Sequence, residues 1–225
     1  MTIGSLAEIL RNADVVLFDF DGPICSVFDG YPAPQITTDL RALAGHVRPE
    51  LADALDKATG PHDLLLVAAD EPELAARLEL ALQRAEMTAI ESARPTPGAA
   101  ESLAACNESG KPAAIVSNNY ADAVVSYLAH AGLSGRIAHI EGRDPADPML
   151  MKPSPYLIKN AARALSVHTG ACVFIGDQTS DMEAGRAAGA LTIGYANKPG
   201  KADALALAGA DVVIETMTEL AAAIR

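Results

Sequence analysis

Residues 15–22 read Val15-Val16-Leu17-Phe18-Asp19-Phe20-Asp21-Gly22, and this stretch decides the fold. The short, unbroken apolar run at its start predicts a buried β-strand. Because residues two apart point to the same side of an extended chain, Asp19 and Asp21 should leave the strand end together, and Gly22 allows a sharp turn there. Burying two carboxylates is costly, so the pair indicates a metal site or a reaction that needs both acids.

The composition indicates an acidic protein with a large apolar core. The chain has 225 residues, of which 50% are hydrophobic, and a formal net charge of −12. Such a chain is poorly suited to bind nucleic acid or an anionic membrane surface. No apolar run approaches the roughly 18 residues that span a bilayer, and the N-terminus does not have the pattern of a secretory signal.

The cysteine content is low and does not indicate a disulfide framework. The three cysteines are odd in number and none forms a Cys-x-x-Cys pair, which argues against disulfides and against a zinc site. We therefore expect a cytoplasmic protein, monomeric or homodimeric, without nucleic-acid or membrane partners.

The residue pattern after Gly22 divides the chain into two parts. Glycines and prolines predict a loop over residues 22–35, and apolar spacing predicts helices almost throughout 37–93, the first of them capped by Thr38 or Asp39. Beyond residue 98, helices alternate with strands. The predicted helices cover residues 98–109, 121–132, 154–166, 179–188, 201–208 and 217–224, and the predicted strands cover residues 113–116, 136–140, 171–175, 191–194 and 211–214.

Strands that alternate with helices predict a parallel sheet covered on both faces. We therefore expect an α/β fold, a three-layer, doubly wound parallel sheet with an inserted all-helical domain. Residues 1–22 and 95–225 would form the α/β core, and residues 23–94 would form the helical insertion after the first strand.

Polar residues follow several of the predicted strands. Ser117 and Asn118 come after the strand at 113–116, and Asp177 follows the strand at 171–175, with Asp181 four residues further on. Lys152 precedes the helix at 154–166. Each residue alone has an ordinary explanation as a turn, a cap or a surface charge. In open α/β sheets, ligands bind beyond the carboxyl ends of the strands. The shared location of these polar residues therefore indicates one site.

This set of motifs resembles the haloacid dehalogenase superfamily, and in particular its phosphoglycolate phosphatases with a helical cap. The resemblance covers the whole α/β core, and the helical insertion is similar to the cap of that family. The family's motifs, in chain order, match Asp19, Asp21 and Gly22, then Ser117, then Lys152, and finally Gly176, Asp177 and Asp181.

The resemblance implies a Mg²⁺-dependent phosphatase that acts on a small phosphorylated metabolite. Asp19 would attack phosphorus to form an aspartyl-phosphate, and Asp21 would protonate the leaving alcohol and then activate water. Lys152 would offset negative charge around the phosphoryl group.

The resemblance also implies which residues bind the phosphoryl group and which bind the metal. The phosphoryl group would be bound by Ser117, Asn118 and Gly22. The metal ligands would be the side chains of Asp19, Asp177 and Asp181 and the backbone carbonyl of Asp21. An all-oxygen ligand set favours Mg²⁺ over zinc.

Three other functions stay open at the level of sequence. They are a phosphomutase of the same superfamily, a haloacid dehalogenase proper and a non-catalytic binding protein that keeps the fold. Asp21, Asp177 and Asp181 disfavour the dehalogenase, because displacement of a halide from carbon needs neither Mg²⁺ nor an acid to protonate an alkoxide. Charged residues of the insertion could select the substrate, and the candidates are Arg41, His46, Arg48 and Arg94.

Overall fold

A computed structural model describes residues 5–225, and its centre is a six-stranded parallel sheet. The order across this sheet is β5-β4-β1-β6-β7-β8, while β2 and β3 form a separate antiparallel ribbon. The strands are β1 (Val15–Phe18), β2 (Cys25–Ser26), β3 (Arg94–Pro95), β4 (Ala113–Val116), β5 (His139–Glu141), β6 (Cys172–Gly176), β7 (Leu191–Tyr195) and β8 (Val212–Ile214).

Helices cover both faces of the sheet and also form the insertion. They are α1 (Leu6–Asn12), α2 (Ala33–Val47), α3 (Ala52–Leu55), α4 (Pro61–Val67), α5 (Pro72–Ala89), α6 (Ala99–Glu108), α7 (Ala121–His130), α8 (Tyr156–Ala164), α9 (Thr179–Ala188), α10 (Lys201–Ala208) and α11 (Met217–Ile224). Among residues 5–225, none of these helices is long and apolar enough to cross a membrane.

Alternation along β1 explains the three layers. Val16 and Phe18 pack with residues of α1, α6, α7 and α11 on one face, whereas Val15 and Leu17 pack with residues of α8 and α9 on the other. All four side chains are buried because side chains alternate across a strand that has a helical layer on each side. The predicted doubly wound α/β core is confirmed.

The inserted helices α2 to α5 have an apolar core of their own, and we call them the cap. Leu40, Leu64 and Leu78 are buried in it, together with Met151 from the α/β part of the chain. The ribbon of β2 and β3 lies where the chain leaves the α/β core and where it returns. The helical insertion is confirmed, while the boundaries at residues 22/23 and 94/95 stay a prediction.

The structure differs from the sequence prediction mainly at the start of the cap. Helix α2 begins at Ala33, so Thr38 and Asp39 lie inside it and do not cap it. Proline suits the first turn of a helix, and the hydroxyl of Thr38 donates to the carbonyl of Pro34, four residues back. The short strand β2 also lies in the segment predicted to be a loop.

Candidate active site

The site lies at the carboxyl end of the sheet, where three neighbouring strands end. Strand β1 lies between β4 and β6, and Phe18 pairs with Ile115 on one side and Ile175 on the other. The polar residues that follow these strands therefore converge on one rim, and Asp19, Ser117 and Asp177 are all buried there.

Lys152 reaches this rim from the loop before α8. Its ammonium group lies 2.8 Å from Asp19 Oδ1 and 2.6 Å from Asp181 Oδ1, and it donates to the carbonyl of Val116 at 3.3 Å. The side chain of Asn118 holds the Lys152 backbone from both sides: Asn118 Oδ1 accepts from the Lys152 N–H, and Asn118 Nδ2 donates to its carbonyl. The structure thus joins Asn118 to the lysine loop.

The carboxylates of Asp19, Asp177 and Asp181 form a compact group. One oxygen from each lies within 4.8 Å of the others, a spacing that allows them to hold one metal ion. Asp177 Oδ2 accepts from Lys201 Nζ at 2.5 Å and from Asn197 Nδ2 at 3.0 Å, whereas Asp177 Oδ1 is buried without a hydrogen-bond partner. A buried carboxylate oxygen without a partner is costly, and a cation would satisfy it.

The charges of the site also fit a divalent cation. Lys152 pairs with Asp19 and Asp181, and Lys201 pairs with Asp177, while Asp21 is a fourth acid close by. An excess of acids over ammonium groups, with oxygen atoms as the donors, suits Mg²⁺. The residues present therefore fit the metal that the sequence predicted.

Burial dominates the electrostatics of the acids. It raises the pKa of Asp19 to about 8 even though Lys152 opposes the shift, and it raises the pKa of Asp177 against the effect of Lys201. It raises the pKa of Asp21 to about 6 against the N–H donated by Val27. Burial alone would lower the pKa of Lys152, but the charges of Asp181 and Asp19 outweigh it and raise that pKa.

Asp21 and Gly22 have different surroundings. The Asp21 carboxylate borders the cavity described below and accepts from the Val27 N–H at 2.9 Å, outside the group of three acids. Gly22 has a φ of +111°, and a Cβ there would lie 2.6 Å from Asp177 Cγ. Its N–H already donates to the Cys25 carbonyl at 2.7 Å. The structure therefore gives Gly22 a steric role and does not support the prediction that it binds substrate.

Ser117 belongs to a buried polar network that the sequence did not predict. Its hydroxyl donates to Asn119 Oδ1 at 2.9 Å, and Asn119 Nδ2 donates to Glu86 of α5 at 2.8 Å. The guanidinium of Arg143 lies between Glu86 and Glu79, 2.7 Å and 2.9 Å from their nearest oxygens. Both glutamates are buried cap residues, so this network fastens the cap to the loops that carry Ser117 and Asn118.

A cavity of about 540 Å³ lies between the acids and the cap. Asp19, Asp21, Ser117 and Lys152 border it on the sheet side, and residues 59–63 border it on the cap side. Its volume suits a small-molecule ligand.

The four charged candidates of the insertion do not border this cavity. Arg41 donates to the carbonyls of Leu55 and Ala58, and His46 is exposed. The other two pair with carboxylates, Arg48 with Glu50 and Glu71, and Arg94 with Asp29. The expectation that these four could contact the substrate is therefore not supported.

Comparison with known proteins agrees with this geometry. The family model described as haloacid dehalogenase-like hydrolase matches residues 13–189. The chain therefore belongs to the haloacid dehalogenase-like hydrolase family, as the motifs had indicated. Within that family it is a phosphatase, a phosphoric monoester hydrolase, because the curated relatives that match it carry phosphatase names.

The relatives match over different lengths. The N-acetylmuramic acid 6-phosphate phosphatase of Pseudomonas aeruginosa is 29% identical over 217 residues, which cover 91% of this chain and 92% of that protein. The phosphoglycolate phosphatase of Pectobacterium atrosepticum is 28% identical over 120 residues, 53% of this chain and 50% of the relative. A family hydrolase from Deinococcus radiodurans, solved with bound phosphate and sodium, is 28% identical with a TM-score of 0.60, and the match covers 93% of each chain.

Proposed function

We propose that this phosphatase is Mg²⁺-dependent, acts on a small phosphorylated metabolite and forms an aspartyl-phosphate on Asp19. One observation carries the proposal. Asp19 and Asp21 border the same cavity, and Lys152 Nζ lies 2.8 Å from the carboxylate of Asp19. A nucleophile, a separate acid and a fixed cation thus border one space large enough for a phosphate ester.

In the first half of the reaction, a carboxylate oxygen of Asp19 forms a bond to phosphorus as the bond from phosphorus to the ester oxygen breaks. Asp21 gives its proton to the leaving alkoxide. Lys152, beside Asp19, stabilises the negative charge that gathers on the phosphoryl oxygens, and the Ser117 hydroxyl binds one of them.

In the second half, the Asp21 carboxylate takes a proton from water. That water forms a bond to phosphorus, the bond to Asp19 breaks, and inorganic phosphate leaves. Mg²⁺ held by Asp19, Asp177, Asp181 and the Asp21 carbonyl would supply positive charge that reduces repulsion between carboxylate and phosphate. The substrates named for the two relatives above, N-acetylmuramic acid 6-phosphate and phosphoglycolate, are the first candidates to test.

The test is hydrolysis of p-nitrophenyl phosphate and of these candidates, with Mg²⁺ and with a chelator. We expect turnover only with the metal and a loss of more than about 10³-fold in Asp19→Asn. The matched control is Asp14→Asn, because Asp14 is an exposed residue at the other end of β1. Turnover by Asp19→Asn at the level of the unmodified chain would contradict the nucleophile assignment.

A second measurement tests the intermediate. With p-nitrophenyl phosphate, whose leaving group needs no proton from Asp21, the second half-reaction should be the slow one in Asp21→Asn, so acid quenching during turnover should leave a phosphoryl group on the peptide that contains Asp19. Labelling of another peptide would contradict the proposal. A requirement for a bisphosphate activator, with transfer to a sugar hydroxyl, would favour a phosphomutase.

A further inference from the structure

His62 is the basic side chain that the described part of the cap contributes to the cavity. It lies in the first turn of α4, directly after Pro61. Asp63 holds this turn, because its carboxylate accepts from the N–H groups of Thr59 and Gly60 at 2.8 Å and 3.1 Å. The backbone that carries the imidazole is therefore fixed at the wall opposite Asp19 and Asp21.

The two sides of the imidazole have different surroundings. Its Nε2 atom is buried without a hydrogen-bond partner, 3.5 Å from Glu86 Oε1. The side chain as a whole is 26% exposed and borders the cavity. Because a carboxylate oxygen faces Nε2, a proton on that nitrogen is favoured. The ring atoms other than Nε2 are the ones that a ligand in the cavity could contact.

The groups behind the ring are buried and charged. Glu79 and Glu86 are buried carboxylates, and the guanidinium of Arg143 lies between them. The imidazole therefore lies between this ionic network and the cavity, and its two ring nitrogens are its hydrogen-bonding groups.

The positions of the reacting groups indicate which part of a substrate would lie beside the imidazole of His62. In the proposed reaction the phosphoryl group lies at Asp19 and Lys152, and Asp21 reaches the ester oxygen. The remainder of the alcohol then extends towards the cap wall, where Thr59 and Leu66 also border the cavity. Apart from His62, this wall offers mainly short or apolar side chains and the carboxylate of Asp63.

We propose that His62 determines specificity by binding an oxygen acceptor, a carboxylate or a hydroxyl, on the leaving-group part of the phosphate ester. This inference rests on the proposed function, because it assumes that the ester is bound for transfer to Asp19. It predicts that a phosphate ester with such an oxygen is a better substrate than an ester of the same length without it.

The experiment compares matched pairs of esters in the Mg²⁺-loaded enzyme. Phosphoglycolate is paired with ethyl phosphate, and glycerol phosphate with propyl phosphate. The unmodified enzyme should prefer the oxygen-bearing member of at least one pair. In His62→Ala the ratio of kcat/KM within that pair should fall about 10-fold or more, chiefly through KM. The control His130→Ala, at an exposed histidine on α7, should keep the ratio.

Two results would overturn the inference while p-nitrophenyl phosphate is still hydrolysed. One is an unmodified enzyme without preference within any pair, and the other is an equal loss for both members in His62→Ala. If His62→Ala does not fold, His62→Leu takes its place with the same two criteria, since leucine has no hydrogen-bonding group and keeps most of the volume. Absence of Mg²⁺-dependent hydrolysis of every ester would instead contradict the proposed function.

Discussion

Glu86 in cap helix α5 is hydrogen-bonded to Asn119 in the α/β core, with 2.8 Å between Glu86 Oε1 and Asn119 Nδ2. Asn119 in turn accepts from the hydroxyl of Ser117 at 2.9 Å, and its own N–H donates to the Ser117 oxygen. The position of the cap helix is therefore coupled, through one amide side chain, to the hydroxyl proposed to bind phosphate. The position of the cap and the orientation of Ser117 therefore depend on the same network.

Removing this carboxylate should destabilise the protein strongly. Glu86 is fully buried and pairs with Arg143, so Glu86→Ala leaves the guanidinium with one carboxylate, Glu79, and the Asn118 carbonyl. Breaking a buried ion pair costs about 3–5 kcal/mol, and we expect a loss of that size in the free energy of unfolding by urea. The control is Glu91→Ala, at an exposed residue just after α5, which should stay within about 0.5 kcal/mol of the unmodified chain. If Glu86→Ala and Glu91→Ala changed the free energy of unfolding equally, the network would add no stability.

Glu86 should also make the free energy of unfolding depend on pH in the acidic range. Burial by itself would raise the pKa of Glu86, but adjacent His62 and Arg143 hold it below the ordinary value of 4.5. A carboxyl group with a lowered pKa stabilises the fold above its unfolded pKa, and this contribution disappears as pH falls through the folded pKa. The difference in free energy of unfolding between the unmodified chain and Glu86→Gln should therefore shrink as pH falls below 4.5. A difference that is constant with pH would contradict the lowered pKa.

The α/β core could be predicted from sequence because its signals are local. The apolar run at 113–116 matches β4 residue for residue, and the predicted helix at 179–188 matches α9. The segment before β5 was less regular: the strand was expected from Arg136 but begins at His139, after a short 3-10 turn. The type of each helix or strand could therefore be predicted from sequence, whereas the ends that depend on turn geometry could not.

The Glu79–Glu86–Arg143 network could not be predicted, because its partners are far apart in sequence. Arg143 lies 64 residues from Glu79 and 57 from Glu86. One signal was present: Glu86 follows Leu82 by four residues and therefore lies in the apolar stripe of α5. A charge in a buried stripe indicates a buried partner, but only the folded chain shows which residue supplies it.

Gly22 should tolerate no side chain. A Cβ there would lie 2.6 Å from Asp177 Cγ, and its φ of +111° is unfavourable for other residues. Gly22→Ala should therefore displace Asp177 and lower both the melting temperature and phosphatase activity. Gly45→Ala is the matched control, because Gly45 lies inside α2 with nothing within 4 Å of a Cβ. Alanine there should stabilise the protein by about 0.5–1 kcal/mol. Normal activity in Gly22→Ala would show that the loop and Asp177 adjust easily.

Mg²⁺ should stabilise the folded chain, and Asp177 should be required for the effect. A ligand at about 100 times its dissociation constant adds about 2.7 kcal/mol of stability, which for a chain of this size raises the melting temperature by roughly 5–10 °C. Asp177→Asn removes the buried Oδ1 carboxylate oxygen that has no partner, and with it one charge of the acidic group. We expect this variant to lose most of the Mg²⁺-dependent shift in melting temperature.

The metal-free melting temperature separates loss of metal binding from general damage. Because burial raises the pKa of Asp177, the amide should fit the metal-free site without a large penalty. Asp177→Asn without Mg²⁺ should therefore melt near the unmodified protein, and calorimetric titration should show weakened Mg²⁺ binding. Asp14→Asn, outside the site, should keep the full shift. A Mg²⁺-dependent shift in Asp177→Asn equal to that of the unmodified chain would mean that the ion binds away from this carboxylate.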